Sequence, residues 1–268
     1  MITADYHVHT SFSGDSESSP ESMIREAIRR GLKTICITDH EDKGFVCDGI
    51  LFEIDTVRYF QELRELQEKY RKEIDIKIGV ETGLEVHRAD QYHKFVRENP
   101  FDFVIGSLHL VDGQDPYDRV IFEGKKDQDV YLRTLEATLE NIRQTDDYDV
   151  LGHIDYVVRY GREAEKSYQP SDMKDLIDEI LKHLISHGKG LELNTAGLKY
   201  GLPFAHPHDF ILTRYKELGG EIITIGSDAH KPIHLAYDFE KAKEILVRHN
   251  FTFYTVYSKR EPKNIHFI

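Results

Sequence analysis

The sequence lacks several features that would place it in familiar classes of protein. It has two cysteines in 268 residues, Cys36 in an apolar run and Cys47 in a loop-like stretch. A disulfide framework is therefore not expected, and a cytoplasmic location fits. No apolar run approaches the roughly 18 residues that span a membrane, and the first residues show no basic region followed by an apolar stretch. We expect neither a membrane partner nor a signal peptide.

Positive charge is also scarce, because the formal net charge is -13. This argues against general nucleic-acid binding, which needs a basic surface. A small phosphorylated substrate is still allowed, since bound metal ions would reverse the sign of the charge locally. Two phosphate-handling motifs are missing: neither cysteine has an arginine six residues on, and there is no Walker-type glycine loop.

Short apolar, β-branched runs alternate with longer stretches of helical period. The strand candidates are Ala4–Val8, Thr34–Thr38, Ile74–Val80, Phe103–Leu108, Val150–Ile154, Gly190–Asn194 and Glu221–Ile225. The helix candidates are Glu21–Arg30, Glu53–Lys72, Asp129–Gln144, Ser171–His187, Pro207–Leu218 and Ala236–His249. Seven such units in series predict a parallel sheet, and the chain length suits one α/β barrel. A (β/α)7–8 barrel is favoured over a doubly wound open sheet. In the segment Phe251–Ile268 we expect a last strand and a hairpin.

Histidine is abundant, with 15 residues, and six of the apolar runs end in a candidate metal ligand. The nine candidates are His7, His9, Asp15, His40, Glu81, His109, His153, Asp228 and His230. The carboxyl ends of barrel strands converge on one mouth, and His7 and His9 share a strand face. Imidazole and carboxylate ligands suit zinc, manganese or iron rather than calcium. Nine ligands exceed the about four to six that one ion takes, so two or three divalent metal ions are predicted.

A single histidine after a strand is more often structural than a ligand, whereas six histidines and three carboxylates at the ends of six strands favour a shared metal site. Other histidines have simpler interpretations. His206 and His208 copy the spacing of His7 and His9 but precede a helix candidate, so we do not take them as ligands.

Six short motifs carry a family resemblance. They are Asp-Tyr-His-Val-His-Thr at 5–10, Thr-Asp-His at 38–40, Gly-Val-Glu at 79–81, Gly-Ser-Leu-His at 106–109, Gly-His-Ile-Asp at 152–155 and Ser-Asp-Ala-His at 227–230. Together they resemble the polymerase and histidinol phosphatase (PHP) superfamily, and within it the PHP-type histidinol-phosphatases. The resemblance implies a distorted (β/α)7 TIM-like barrel of the α/β class, and we expect a single domain over residues 1–268.

The resemblance also implies a ligand set for three metals. One ion would take His7, His9, Glu81 and Asp228, a second Glu81, His109 and His153, and a third Asp15, His40 and His230. Many family members carry histidine near position 15, and a carboxylate there favours manganese or iron over zinc. A metal-bridging hydroxide is the implied nucleophile, with Glu81, Asp228 and His230 as the catalytic residues.

Candidate substrate-binding residues lie in three loops. Arg159 and Arg162 follow the fifth run and Lys199 follows the sixth, where the family carries arginines to the phosphate. For Arg159 and Arg162 the alternative is a basic side chain that faces solvent. The loop Val111–Asp127, long for a barrel, holds Asp115 and Tyr117 and could cover an amine and an imidazole. An acidic surface loop explains these residues equally well.

The implied function is the hydrolysis of L-histidinol phosphate in histidine biosynthesis, in the cytoplasm, with this small phosphorylated molecule as the partner. Two alternatives stay open. One is another PHP phosphoesterase, acting on phosphotyrosine or nucleotides, and the other is a metal-binding protein without activity. The sequence makes no prediction of the oligomeric state.

Overall fold

A curled sheet of parallel strands forms the centre of the computed structural model, which describes residues 1–163 and 168–267. Numbered along the chain from one to seven, the barrel strands are Ala4–Asp5, Thr34–Ile37, Asp75–Gly83, Phe103–Ser107, Val150–Leu151, Gly190–Asn194 and Ile223–Gly226. Each strand pairs with the next in the chain. The first and last segments also meet, because the Tyr6 amide donates to Ile225 O at 2.9 Å and the His9 amide to Ala229 O at 3.0 Å. The predicted seven-stranded barrel is confirmed as a nearly closed one, and the alternative of an open sheet is wrong.

Helices surround the sheet, six of them at the predicted places; the short helix Ala196–Lys199 was not predicted. Their bounds are Pro20–Arg29, Thr56–Tyr70, Ala89–Glu98, Asp127–Ile142, Lys174–Ser186, Ala196–Lys199, Asp209–Glu217 and Phe239–Arg248. Short 3₁₀ turns cover Val86–Arg88, Pro116–Asp118, Val120–Phe122, Tyr156–Tyr160, Pro170–Met173 and Pro232–His234. The helix Ala89–Glu98 was not predicted. It buries only Tyr92 and Val96, so its apolar pattern is too sparse to be read from the sequence.

Local sequence explains where the helices begin and how they attach to the barrel. The Ser19 side chain accepts the Ser22 amide, and Pro20 occupies the first turn, where a missing N–H costs nothing. The helix Thr56–Tyr70 is anchored by Tyr59, whose hydroxyl lies 3.1 Å from Ile37 O and 3.0 Å from Gly79 O. These bonds fix the helix against the second and third strands.

A carboxyl-terminal hairpin closes the end of the barrel at which the strands begin. Its antiparallel strands, Phe253–Ser258 and Glu261–His266, pair with each other in a sheet of their own. The Tyr6 hydroxyl donates to Tyr257 O at 2.7 Å, and the ring of Phe103 packs between Tyr6 and Tyr257 at centroid distances of 5.2 and 5.0 Å. The predicted hairpin is therefore present, and the open mouth lies at the carboxyl ends of the strands.

Shorter strands lie at the mouth of the barrel. His40–Glu41 extends the second segment and pairs with the third strand, with His40 opposite Glu81. Val46–Cys47 and Ile50–Leu51 form a small hairpin beside it. In residues 1–163 and 168–267, no helix is both long enough and apolar enough to cross a membrane.

Candidate metal centre

The nine candidate ligands come together at the mouth of the barrel, although they span most of the chain. Glu81 lies within the third strand, and His109, His153 and Asp228 each lie two residues past the end of a strand. His7 and His9 follow the first strand, and His40 sits opposite Glu81. The carboxyl ends of parallel strands meet at this edge, so side chains far apart in sequence become neighbours.

Glu81 is at the centre of the cluster, fully buried, and its two oxygens face different histidines. Oε2 lies 3.1 Å from His7 Nε2, 3.5 Å from His9 Nε2 and 3.1 Å from His40 Nδ1. Oε1 lies 3.1 Å from His109 Nε2 and 2.9 Å from His153 Nε2. A carboxylate that faces two sets of imidazoles in this way has the geometry to bridge two metal ions.

Asp228 and Asp15 complete the outer side of the cluster. Asp228 Oδ1 is 3.4 Å from His9 Nε2 and 3.5 Å from His230 Nδ1. Asp15 Oδ2 is 3.0 Å from His230 Nε2 and 3.7 Å from His40 Nε2. Asp228 has a backbone φ of 52°, a left-handed conformation that is uncommon outside glycine and is found at functional sites.

Buried ligand atoms without hydrogen-bond partners favour a metal here. Within the described residues they include His7 Nε2, His9 Nε2, His40 Nδ1 and Glu81 Oε2. Unpaired polar atoms in a protein interior cost free energy. Glu81 Oε2 lies 3.1 to 3.5 Å from the three nitrogens. Ligand atoms of His7, His9 and Glu81 lie close enough together to share one cation, and those of His9, His40 and His230 to share another.

Electrostatics give the cluster the charge that a metal requires. Burial raises the pKa of Glu81, but His7, His109 and His40 hold it well below the ordinary value. Burial likewise opposes ionisation of Asp228, and His7 and His9 overcome it and lower the pKa of that carboxyl. Burial, with the repulsion of His230 and His40, lowers the pKa of His9 well below its usual value, which leaves its imidazole neutral. Nearby carboxylates outweigh burial and raise the pKa of His7, His40 and His109, so a divalent cation that binds these imidazoles would displace their protons.

Two of the predicted cations lie beside this cluster. Lys199 Nζ donates to Asp228 O at 2.9 Å, and burial lowers the pKa of its amine against the pull of Asp228. The Arg159 guanidinium lies 4.7 to 5.5 Å from the ring centres of Tyr156, Tyr160 and Tyr200. Its Nη2 donates to the Tyr160 hydroxyl at 2.6 Å, while its buried Nε has no partner within the described residues.

The other predicted substrate residues lie further out. Arg162 is exposed, and its Nη2 donates to Phe122 O at 2.9 Å. Asp115 accepts the Tyr117 amide at 2.8 Å, and Tyr117 is exposed with its ring 6.1 Å from that of Tyr160. The contacts of Arg162 therefore attach it to the 111–127 loop, whereas Tyr117 reaches the tyrosines around Arg159.

Comparison with known proteins agrees with this geometry. The family model described as the PHP domain matches residues 5–196. The chain belongs to the PHP domain family. It is 35% identical over 253 residues to a histidinol-phosphatase of Lactococcus lactis subsp. lactis strain IL1403, covering 94% of this chain and 93% of that protein.

Solved structures of PHP-domain relatives share the fold. A histidinol phosphate phosphatase from Lactococcus lactis, complexed with zinc, L-histidinol and phosphate, has a TM-score of 0.89 at 33% identity and covers 97% of this chain and 98% of that chain. A Listeria monocytogenes structure has a TM-score of 0.76 at 23% identity, covering 89% and 99%. The barrel expected from the motifs is thus the fold of this family.

A second layer of buried polar residues in this PHP domain was not predicted. Asp42 Oδ1 lies 2.7 Å from His109 Nδ1, and Ser107 Oγ donates to Glu81 Oε1 at 2.6 Å. Gly152 leaves room for Ser107, because a Cβ at position 152 would lie 2.2 Å from Ser107 Oγ. Ser107 and Gly152 belong to the motifs at 106–109 and 152–155, but the sequence alone does not show that they support Glu81.

Two further supports are Asp39 and Glu192. Ser13 Oγ donates to Asp39 Oδ1 at 2.7 Å and lies 3.1 Å from His9 Nδ1, so Asp39 orients His9 through Ser13. Glu192 Oε1 lies 2.6 Å from His7 Nδ1. One signal in the sequence pointed to Glu192: it is a charged residue between Leu191 and Leu193 in a strand that is otherwise apolar apart from its last residue.

Proposed function

We propose that this chain is a histidinol-phosphatase, a phosphoric monoester hydrolase that acts on L-histidinol phosphate in histidine biosynthesis. One observation carries the proposal: the chain shares its fold over 97% of its length with the relative that binds zinc, L-histidinol and phosphate. The mouth of its own barrel supplies six histidines and three carboxylates of the type that such a metal needs.

We assign two or three divalent ions, manganese, iron or zinc, to the cluster. His7, His9, Glu81 and Asp228 would hold one and Glu81, His109 and His153 a second, while Asp15, His40 and His230 would hold a third. Such ions supply an activated water near neutral pH and neutralise charge on the phosphate. The unpaired nitrogens of His7 and His9 beside Glu81 support this assignment.

Side chains of the protein bind the phosphate and supply a proton to the leaving group. Arg159 and Lys199 bind phosphate oxygens, since both cations lie beside the cluster and Lys199 contacts Asp228. The three tyrosines around Arg159 hold its guanidinium by cation–π contact. A proton for the leaving alkoxide comes from His230, or from Asp228 after that carboxylate has accepted one from the attacking water; the two side chains are 24% and 10% exposed.

The organic end of the substrate carries an amine and an imidazole. Asp115 and Tyr117 form its recognition site in the 111–127 loop, because a carboxylate and an aromatic ring suit a cation and a flat heterocycle. Arg162 contacts the same loop by donating to Phe122 O, and its contact with phosphate stays a prediction. The cytoplasmic location and the single domain over residues 1–268 also stay predictions.

A substrate panel tests the function. The purified protein is analysed for metal and assayed on histidinol phosphate, a phosphotyrosine peptide and nucleotides. We expect bound metal and the highest kcat/KM on histidinol phosphate. A preference for the peptide or a nucleotide would mean a different phosphoesterase. Metal binding without turnover of any phosphoester would mean a metal-binding protein that is not an enzyme.

A further inference from the structure

We infer that Glu192 is a positioning residue that fixes the tautomer of His7 and so directs His7 Nε2 at the metal. The inference rests on the proposed metal centre but concerns a residue outside its ligand set. Glu192 lies in the sixth strand, is 1% exposed, and points into the barrel towards the first and fifth strands.

The carboxylate of Glu192 accepts on both oxygens. Oε1 lies 2.6 Å from His7 Nδ1, while Oε2 accepts the His153 amide at 2.9 Å and the Asn194 side-chain amide at 3.2 Å. An ionised carboxylate only accepts hydrogen bonds, so the short contact with His7 requires the proton on Nδ1. In the neutral imidazole the lone pair of His7 is then on Nε2, which lies 3.1 Å from Glu81 Oε2.

The backbone at Gly226 leaves room for the contact between Glu192 and His7. A Cβ at Gly226 would lie 2.3 Å from His7 Cβ and 2.4 Å from Glu192 Oε1, so any side chain there would separate the two groups. Gly226 is the last residue of the seventh strand, which lies between the first and the sixth. The glycine at this position is thus explained by the His7–Glu192 pair.

Replacing the carboxylate with an amide gives a specific conflict. The His153 backbone N–H cannot become an acceptor, so the oxygen of a glutamine at 192 would turn towards it. The amide NH₂ would then face His7 Nδ1 and force the proton of that imidazole onto Nε2. A protonated Nε2 cannot bind a metal, so the variant Glu192→Gln keeps the shape of the site and loses the tautomer.

The test is zinc binding by Glu192→Gln, measured by competition with a chromophoric chelator and by metal content per chain. We expect one zinc per chain to bind about 10–100-fold more weakly than in the wild type, with the remaining bound zinc retained. Excess zinc should restore turnover of histidinol phosphate, which a merely structural defect would not allow.

Asp149→Asn is the matched control. Asp149 is another buried carboxylate with two donors, the Val104 amide at 2.8 Å and Arg260 Nε at 2.6 Å, but it lies at the opposite end of the barrel. We expect it to keep wild-type zinc affinity. Equal zinc affinity in Glu192→Gln and the wild type would overturn the inference, and so would equal weakening in both variants. A wild-type protein that binds no zinc would instead overturn the proposed metal centre.

If circular dichroism shows that Glu192→Gln does not fold, a second measurement on the wild-type protein tests the inference. Zinc-loaded wild-type protein with ¹⁵N-labelled histidine reports tautomers directly by long-range ¹H–¹⁵N correlation, with His7→Gln assigning the His7 signals. We expect His7 protonated on Nδ1. Protonation on Nε2 would refute the role of Glu192.

Discussion

Glu81 is the residue on which the largest number of candidate ligands converge, with five imidazoles within 3.5 Å of its carboxylate. We predict that Glu81→Ala loses metal from two sites at once and lowers kcat at least about 1,000-fold, because both sites share this carboxylate. Metal content and steady-state kinetics on histidinol phosphate measure the effect.

Glu98→Gln, an exposed change on the helix Ala89–Glu98, is the control for Glu81→Ala and should behave like the wild type. If Glu81→Ala keeps its full metal content and near-normal kcat, the bridging role is wrong.

Arg159 and Lys199 are predicted to act on substrate binding rather than on the nucleophile. Arg159→Ala or Lys199→Ala should raise KM, with a loss in kcat/KM equivalent to roughly 1.5–3 kcal/mol for a charge-assisted hydrogen bond. Arg159→Lys should recover little, since a point charge replaces a planar fork that stacks on tyrosines. If both alanine variants match the wild type, the metals alone hold the phosphate. Arg162→Ala in the same assay tests the third predicted cation.

The ligands could be predicted from the sequence residue by residue, whereas their supports could not. His109 and His153 follow apolar strands, and strand ends converge, so their proximity follows from the pattern alone. Asp42 and Glu192 act through other side chains across the barrel, and that contact depends on strand register and on the room left by Gly226. The strand register could not be predicted from the sequence.

At the scale of elements, an ion pair joins two outer helices. Arg214 donates from Nε and Nη2 to the two carboxylate oxygens of Asp178 at 2.8 and 2.7 Å, and Lys174 Nζ donates to Oδ2 at 2.8 Å. These bonds, led by that of Arg214, lower the pKa of Asp178 from 3.8 to about 2. The pair ties the helix Lys174–Ser186 to the helix Asp209–Glu217.

The sign of the pH dependence follows from that lowered pKa. Because Asp178 is a weaker base when folded, its contribution to stability is complete above about pH 4 and is lost as pH falls towards 2. Asp178→Asn should lower the Tm of the metal-free protein by roughly 2–4 °C at pH 7. The difference from the wild type should shrink as the pH falls below 4. Exposed Asp175→Asn is the control, and a difference that is constant with pH would exclude this linkage.

The elements themselves were predictable to different degrees. The strands were found because buried parallel strands are continuously apolar, as in Thr34–Ile37. The helix Ala89–Glu98 was missed because the side facing the barrel contributes only two buried side chains. The sequence favoured a closed barrel over an open sheet but could not establish closure, since closure depends on the backbone contact between Tyr6 and Ile225.

For the whole molecule, metal and stability should be linked. Ions that bind the folded chain and not the unfolded one stabilise it by about 4 kcal/mol at a thousand times Kd. Exhaustive chelation should therefore abolish activity and lower Tm by several degrees, and manganese, iron or zinc should restore both. Calorimetry and turnover before and after chelation measure this. Unchanged activity in a protein shown to be free of metal would rule out the metal centre.

The barrel closes through contacts between its first and last strands, and that topology sets an order of events during synthesis. His7 and His9 leave the ribosome before most of the barrel exists, and Asp228, with which they share a predicted metal, follows only with the seventh strand. The hairpin that holds Tyr6 through Tyr257 comes later still. A nascent chain lacks the predicted ligands Asp228 and His230 until the seventh strand has been made, so we expect the complete metal centre to form only after that point and a chain truncated before the seventh strand to be inactive.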